Sequence, residues 1–362
     1  MRRRRPRRAR TNHETVTQSS ARCPVRAGSA PASRTDDEES VEDLAFDLAH
    51  VCARMGDGTV RCMGENHHGE LGPTARGATL RIPTDIDGLG ESAEVITGRR
   101  LTCARHRDGS VRCIGSAEAG QLGTGSDPTP SPEGTFLPVR GVSGATRLST
   151  SMGTTCALVG DGTLLCWGRE TEATALAYPG LSGVAEFDLD GLFHGCARFT
   201  NGTVRCGRFA RPIPVTDATQ LDAGQSHACA RRRDGSVRCW GFNSSGQLGA
   251  LEPPPDMYTP VDPGLQCVVQ VVAGGDHTCA LITDGTVRCW GSNHFGQIGD
   301  GSTLDRPVPV SVRGVSEVVR LVAGPTTTCG IREDRSVVCW GSSLWLPGRL
   351  PEVMRQPQDV VW

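Results

Sequence analysis

Cysteine and histidine supply the side chains of this 362-residue chain whose spacing could do chemistry. Fourteen of its 16 cysteines form seven pairs with nine residues between partners. Cys52 pairs with Cys62, Cys103 with Cys113, Cys156 with Cys166, Cys196 with Cys206, Cys229 with Cys239, Cys279 with Cys289 and Cys329 with Cys339. Thiols at one repeated spacing can be oxidised in pairs or can hold a metal. Structural zinc wants C-x-x-C knuckles or a matching histidine pair, whereas two facing cysteines supply only two ligands. Disulfides are therefore expected, with paired buried thiols as the alternative. Cys23 and Cys267 lack a partner at that spacing; two free thiols are expected, with a mutual bridge as the alternative. His50, His194, His227 and His277 each stand two residues before the first cysteine of a pair. Repetition at one position argues for a structural hydrogen bond to the neighbouring repeat's backbone, not for catalysis or a metal. His67 and His68 are adjacent, but no third ligand accompanies them, and a solvated loop is expected there. No P-loop, nucleophile elbow, H-E-x-x-H or paired-carboxylate signature is present. The chain is expected not to be an enzyme, with no catalytic residue, no metal site and no cofactor.

The segments between paired cysteines say which element positions them. Six of the seven carry Asp-Gly or Asn-Gly at the centre, as in CALITDGTVRC and CARFTNGTVRC. That dipeptide between short β-prone runs is a hairpin signal, because Gly accepts φ > 0 without a Cβ clash. The cysteine numbers sum to an even value, so a three-residue loop fits better than a two-residue one. Loop residues Thr283, Asp284 and Gly285 then place Ile282 opposite Thr286, Ala280 opposite Arg288 and Cys279 opposite Cys289. In that register the cysteines form a non-hydrogen-bonded pair, where Cα atoms lie about 4.5 Å apart, within disulfide reach. Each bridge would contribute about 3 kcal/mol by loop closure and would stiffen one hairpin without tying distant segments together.

First cysteines of successive pairs are 51, 53, 40, 33, 50 and 50 residues apart. A period near 50 with hairpin content and no helical periodicity points to propeller blades. In the fullest unit, VVQVVA (268–273) reads as a first strand, 277–283 and 286–293 as the hairpin, and RPVPVSV as an edge strand that tolerates proline. The fold class expected is all-β, a seven-bladed β-propeller of four-stranded antiparallel blades spanning 41–362. Blades three and four are short and are expected to have lost loop length or an outer strand. At the C-terminus, 351–353 and 359–362 read as a last fourth strand and the start of a first strand competing with 41–48 for the ring seam.

GGDHTCALITDGTVRCWGSNHFGQIGDGS (274–302) and GQSHACARRRDGSVRCWGFNSSGQLG (224–249) closely resemble the repeat of the regulator of chromosome condensation family. The resemblance covers about residues 41–362 and implies a seven-bladed propeller. Its secreted bacterial members are the nearest in flavour, and some of them inhibit enzymes through loop contacts. Departures are visible. Met63, Ile114 and Gly207 replace the tryptophan in repeats one, two and four, the GQLG-like loop is absent from repeats three, four and seven, and the seventh turn is Asp334-Arg335.

Glycine (46), proline (23) and only 4% aromatic residues suit many short strands rather than one large core. All 38 basic residues are arginine, yet the net charge is −2, which argues against a duplex-binding surface. Residues 1–40 read as a disordered tail, arginine-rich (MRRRRPRRAR) and then acidic, with a misassigned start as one alternative and a basic arm as another. Nucleic-acid contact, if any, is confined to that tail. No transmembrane helix is read, and a monomer is expected. Seven pairs of cysteines point to an extracellular or cell-envelope home, and the lack of a visible signal peptide keeps a cytoplasmic alternative.

The function expected is a non-catalytic scaffold presenting loops to a protein partner. Contact candidates lie in the loops after the third strands: His67, His68, Phe242, Asn243, His294 and Phe295. The alternative implied by the resemblance is a guanine-nucleotide exchange factor for a small GTPase, although no inserted wedge is seen and the longest insertion, 124–148, is Pro/Ser/Gly-rich.

Overall fold

The computed structural model describes residues 23, 40–73, 76–125, 136–169, 173–189, 195–207, 209–348 and 350–362. His194 and most of the 1–40 tail lie outside them. The described chain is an all-β propeller of seven antiparallel sheets, spanning 41–85, 92–138, 145–177, 184–213, 218–241, 268–311 and 318–360. Six blades have four strands and blade five has three, with Val261 bridging Cys239 where its outer strand would run. Blades three and four keep their outer strands, shortened to Leu176–Ala177 and Arg211–Ile213. They have therefore shed loop length, and the incomplete sheet is blade five.

The Asp-Gly turns explain the hairpins. Asp284 Oδ1 accepts from the Thr286 amide at 2.9 Å and its hydroxyl at 2.6 Å, and Gly285 takes the left-handed conformation at φ 81°. The hydroxyl bond, then the amide bond, hold the Asp284 carboxyl below its ordinary range. Such aspartates are spent on turn formation. The register follows as spacing predicts: Ala280 pairs with Arg288 and Cys279 with Cys289. The same direct opposition recurs in every blade, with Cys52 facing Cys62, Cys103 facing Cys113, Cys156 facing Cys166, Cys196 facing Cys206, Cys229 facing Cys239 and Cys329 facing Cys339. Glycine at the turn serves the neighbour as well. In blade one a Cβ on Gly58 would lie 3.1 Å from Glu91 Cα, and Ser92 N donates to Gly58 O at 3.1 Å. The seventh turn, which meets blade one, departs from the rule. There Arg335 accepts φ 69° and its Nη1 pairs with Glu42 Oε1 at 2.9 Å.

Buried apolar side chains fall into seven clusters, one between each pair of neighbouring blades. Trp167, Trp240, Trp290 and Trp340 are fully buried and pack toward the preceding blade. Truncating such a ring to Ala costs about 3–5 kcal/mol. Trp290 Nε1 donates to Gln247 O of blade five at 2.9 Å, and Trp167 Nε1 to Gln121 O at 2.9 Å. The backbone carbonyl of the GQLG-type loop is thus an inter-blade acceptor.

Every inner strand also shifts register once near its start, after Val41, Ser92, Ala145, Val184, Ala218, Val268 and Val318. A bulge re-aims the next side chain. The residues so presented are Asp43, Glu94, Arg147, Glu186, Gln220, Gln270 and Arg320. Six of them bind the following blade: Glu94 accepts from Leu148 N, Glu186 from Leu221 N, Gln220 and Gln270 clasp the backbones of Val271 and Leu321, Arg147 pairs with Glu186, and Arg320 of blade seven pairs with Asp43 of blade one. The bulge leaves Val269 and Val319 exposed inside otherwise apolar runs.

The ring closes between blades seven and one. The two C-terminal segments form a single strand, Val353–Val360, of blade seven, and Val41–Phe46 alone serves blade one. No competition for the seam arises. Its contacts are Arg320–Asp43 at 2.7 Å, Arg335–Glu42, Trp345 Nε1 donating to Leu48 O at 3.0 Å, and a shared apolar cluster.

Candidate binding face

Antiparallel order sends the end of each inner strand and the loop after each third strand to one rim, here the upper face; the Asp-Gly turns occupy the lower face. The described turns of the upper face enclose a central cavity of about 1070 Å³. Its lining is uneven. Arg99 and Arg100 of blade two and Arg169 of blade three stand on one side, and Asp47, Glu65 and Asp276 on others. A side cavity of about 330 Å³ is lined by the same arginines together with Ser116, Gln121 and Met152. Arg100 Nη1 approaches Glu118 at 3.7 Å. Arg100 and Met152 hold left-handed backbone, at φ 62° and 49°. For side-chain-bearing residues that conformation is costly, and it marks sites where position outweighs strain.

The same rim carries large exposed apolar side chains. Leu48, Met152, Phe242, Phe295 and Leu344 are between 44% and 69% exposed, and all lie in upper-face turns or loops. Phe242 also lines the cavity mouth.

The sequence candidates separate into two groups. Phe242 and Phe295 stand free at the rim, and His294 is exposed 3.9 Å from Asp305. Asn243 is engaged in its own loop, accepting from Leu248 N at 2.9 Å and donating to Ala250 O at 3.0 Å. Asn293 accepts from Ile298 N in the same way, so this amide holds the GQLG-type loop in shape. His67 lies within 3.2 Å of Gly77 O, His68 N donates to Glu70, and among the described residues no group of three metal-ligating side chains forms. Sequence reasoning misses Arg99, Arg100, Met152 and Arg169. The signal for Arg99, Arg100 and Met152 is that TGRRL and TSMGT stand where other repeats have AGQSH and AGGDH, and Arg169 follows the CWG of the third strand.

The recurring histidines are structural. His50, His227 and His277 are fully buried, and their Nε2 atoms meet Thr102, Thr278 and Thr328 hydroxyls of the next blade at 2.7–2.8 Å. The partner is a hydroxyl, not the backbone expected. Burial pushes His227 and His277 down to about 3, helped at His277 by His227. Deeper in the channel burial raises Asp188 and Asp222, and repulsion from the Asp188 carboxylate pushes Asp222 further.

Eight cysteine pairs lie at disulfide distance. Seven are the hairpin pairs: Cys52 with Cys62, Cys103 with Cys113, Cys156 with Cys166, Cys196 with Cys206, Cys229 with Cys239, Cys279 with Cys289 and Cys329 with Cys339. Their Cα separations are 4.0–4.1 Å, shorter than the usual spacing of a bridged pair because the hairpin register sets them. The eighth pair is Cys23 with Cys267, whose Cα atoms are 5.4 Å apart. The two cysteines expected to be free are thus bonded to each other. No helix among the described residues is long and apolar enough to cross a membrane.

Models of the regulator of chromosome condensation (RCC1) repeat match residues 218–247 and 268–297, and 234–281 and 284–331. No curated protein sequence matches the chain. Among solved structures the chain is similar to Prp20p from Saccharomyces cerevisiae, studied for its binding to Gsp1p and histones, at 20% identity and TM-score 0.71 over 83% of this chain and 85% of that one. It is also similar to the receptor kinase CR4 ectodomain from Physcomitrella patens, at 20% identity and TM-score 0.54 over 86% and 75% of the two chains. Human WBSCR16 aligns at 17% identity and TM-score 0.55 over 90% and 82%. At these identities the likeness is one of fold.

Proposed function

The chain belongs to the regulator of chromosome condensation repeat family, and from that premise we propose that it is a non-catalytic protein-binding scaffold whose upper face receives the partner. The observation that carries this reading is that one face exposes Leu48, Met152 and Phe242 around a charged central cavity and Phe295 and Leu344 on its outer loops. Exposed apolar side chains on a rigid, concave face favour association, because burying them releases water at about 25 cal/mol per Å². The arginines at the blade two–three side favour a partner with a carboxylate beside its apolar anchor. Disulfide-rich blades support an extracellular or cell-envelope setting. The reading is tested by placing a photo-crosslinking residue at Phe295 and, in a second variant, at Asp108 on the lower face. The partner is captured from Phe295 and not from Asp108; equal capture from both refutes the assignment of the face.

A second reading follows from the Prp20p likeness, namely a small GTPase as the partner. Accelerated nucleotide release from a candidate GTPase would establish it, and release unchanged across a panel would remove it.

A further inference from the structure

The eight bonded cysteine pairs differ in access. Each of the fourteen hairpin cysteines is at most 3% exposed, sealed between blades. Cys23 is exposed and Cys267 half-buried. The pairs also differ in span, since hairpin partners are 10 positions apart and Cys23 and Cys267 are 244 apart.

Cys267 is firmly seated on the lower face. It occupies the left-handed position before an inner strand, at φ 61°, where Glu91, Asp217 and Glu317 sit before others. Its carbonyl accepts from Thr283 N at 3.0 Å, and the next residue, Val268, donates to Gly235 O of blade five at 3.0 Å. Cys23 comes from the chain preceding blade one. Cys267 stands at the start of blade six and the described chain resumes at residue 40 beside blade one, so blades six and seven and the closure seam lie between those two points of the ring. Blade one is built wholly from 41–85 and blade seven wholly from 318–360, so among the described residues no strand is shared across that seam. The Cys23–Cys267 bond is therefore a covalent bracket around the one interface that the backbone does not cross.

We propose that Cys23–Cys267 is a thiol–disulfide exchange site, a clasp that an external dithiol opens while the seven hairpin bridges stay closed. A thiolate of the dithiol attacks the exposed Cys23 Sγ, forming a mixed disulfide and expelling the Cys267 thiolate. The second thiol of the reagent then closes on its own sulfur and releases the Cys23 thiolate. Two electrons pass to the cystine, the dithiol becomes a cyclic disulfide, and its two protons end on Cys23 and Cys267. Exchange requires line-of-sight approach to a sulfur, which the hairpin bridges deny. Opening the clasp leaves the seam to its ion pairs and apolar contacts.

The full chain tests this with limiting dithiothreitol, iodoacetamide quench and peptide mass spectrometry. Cys23 and Cys267 become alkylated at least about tenfold faster than any hairpin cysteine, and neither is alkylated before reductant is added. At that stage Tm has fallen by about 2–5 °C, matching the double variant Cys23→Ser with Cys267→Ser, whose own Tm no longer responds to mild reductant. Hairpin cysteines labelling at a comparable rate, alkylation of Cys23 without reductant, or an unchanged Tm after selective opening would each overturn the proposal. The labelling rates are read on the unaltered protein and do not depend on the variant folding.

Discussion

Arg320 Nη2 lies 2.7 Å from Asp43 Oδ1, and this ion pair closes the ring where the preceding interface uses an amide instead. There Gln270 accepts from Leu321 N at 2.8 Å and donates to Leu321 O at 2.9 Å. The seam, like the blade three–four interface with its Arg147–Glu186 pair, therefore depends on charge where the preceding interface depends on neutral hydrogen bonds. Burial raises the Asp43 carboxyl, and Arg320 opposes that rise. Arg320→Ala leaves a buried carboxylate uncompensated and is expected to cost about 1–2 kcal/mol, reduced from the cost of a fully buried pair because Arg320 is half exposed. Calorimetry at low and high salt checks it. The loss should shrink in salt, whereas Gln270→Ala should cost about the same in both.

Two tryptophans that look alike in sequence should respond differently to loss of the indole N–H. Trp290 donates to Gln247 O, while the buried Trp240 Nε1 has no partner among the described residues. Blade four carries no GQLG-type loop to supply one. Trp290→Phe should therefore destabilise by about 1 kcal/mol more than Trp240→Phe, since only the first leaves an acceptor short of its donor. Paired thermal melts of the two variants decide this.

His227 and His277 make stability fall on acidification. Their folded values lie near 3, against about 6.5 in an unfolded chain. Between those values the unfolded state binds the extra proton, so their contribution is complete above about pH 6.5 and is lost as pH falls toward 3. Each histidine adds a slope of about 1.4 kcal/mol per pH unit in that window. Denaturant melts from pH 7.5 to 4.5 should lose stability steadily, and His277→Gln should flatten the slope by about half. An unchanged slope would mean that these rings are not desolvated.

Asp222 carries the opposite sign. Burial first, then the neighbouring Asp188 carboxylate, raises it well above its ordinary range. Its folded state holds the proton better than the unfolded chain does, so keeping this carboxyl buried costs stability at neutral pH, and that cost disappears as pH falls. Asp222→Asn keeps an acceptor for Ala273 N and should raise Tm at pH 7 by a few degrees. The gain should fade under acid, and calorimetry at pH 7 and pH 4.5 reads both.

The hairpins are legible because Asp-Gly or Asn-Gly sits at a fixed distance from the cysteines in six of the seven segments, and that spacing dictates register. The inner ring is not legible. Its positions are filled by Asp43, Glu94, Arg147, Glu186, Gln220, Gln270 and Arg320. All seven share a bulge and a bond to a neighbouring blade, not a residue type. The bond between Cys23 and Cys267 escapes a sequence reading because a separation of 244 residues erases any local spacing signal. Phe242 and Phe295 stand out as aromatic residues in loops, whereas Arg100 and Met152 do not, since a left-handed turn there needs no glycine in the sequence to announce it.

The scaffold account is tested most directly by quantitative affinity capture from envelope and culture-supernatant fractions. Three baits are compared, all with matching Tm. The first is the unaltered chain, the second combines Phe242→Glu and Phe295→Glu on the upper face, and the third combines the exposed Arg107→Glu and Arg233→Glu on the lower face. The account predicts a protein retained by the first and third baits and reduced at least about tenfold on the second, as expected when two anchoring aromatics are replaced by charge. Equal retention on all three, or loss confined to the lower-face variant, would contradict it.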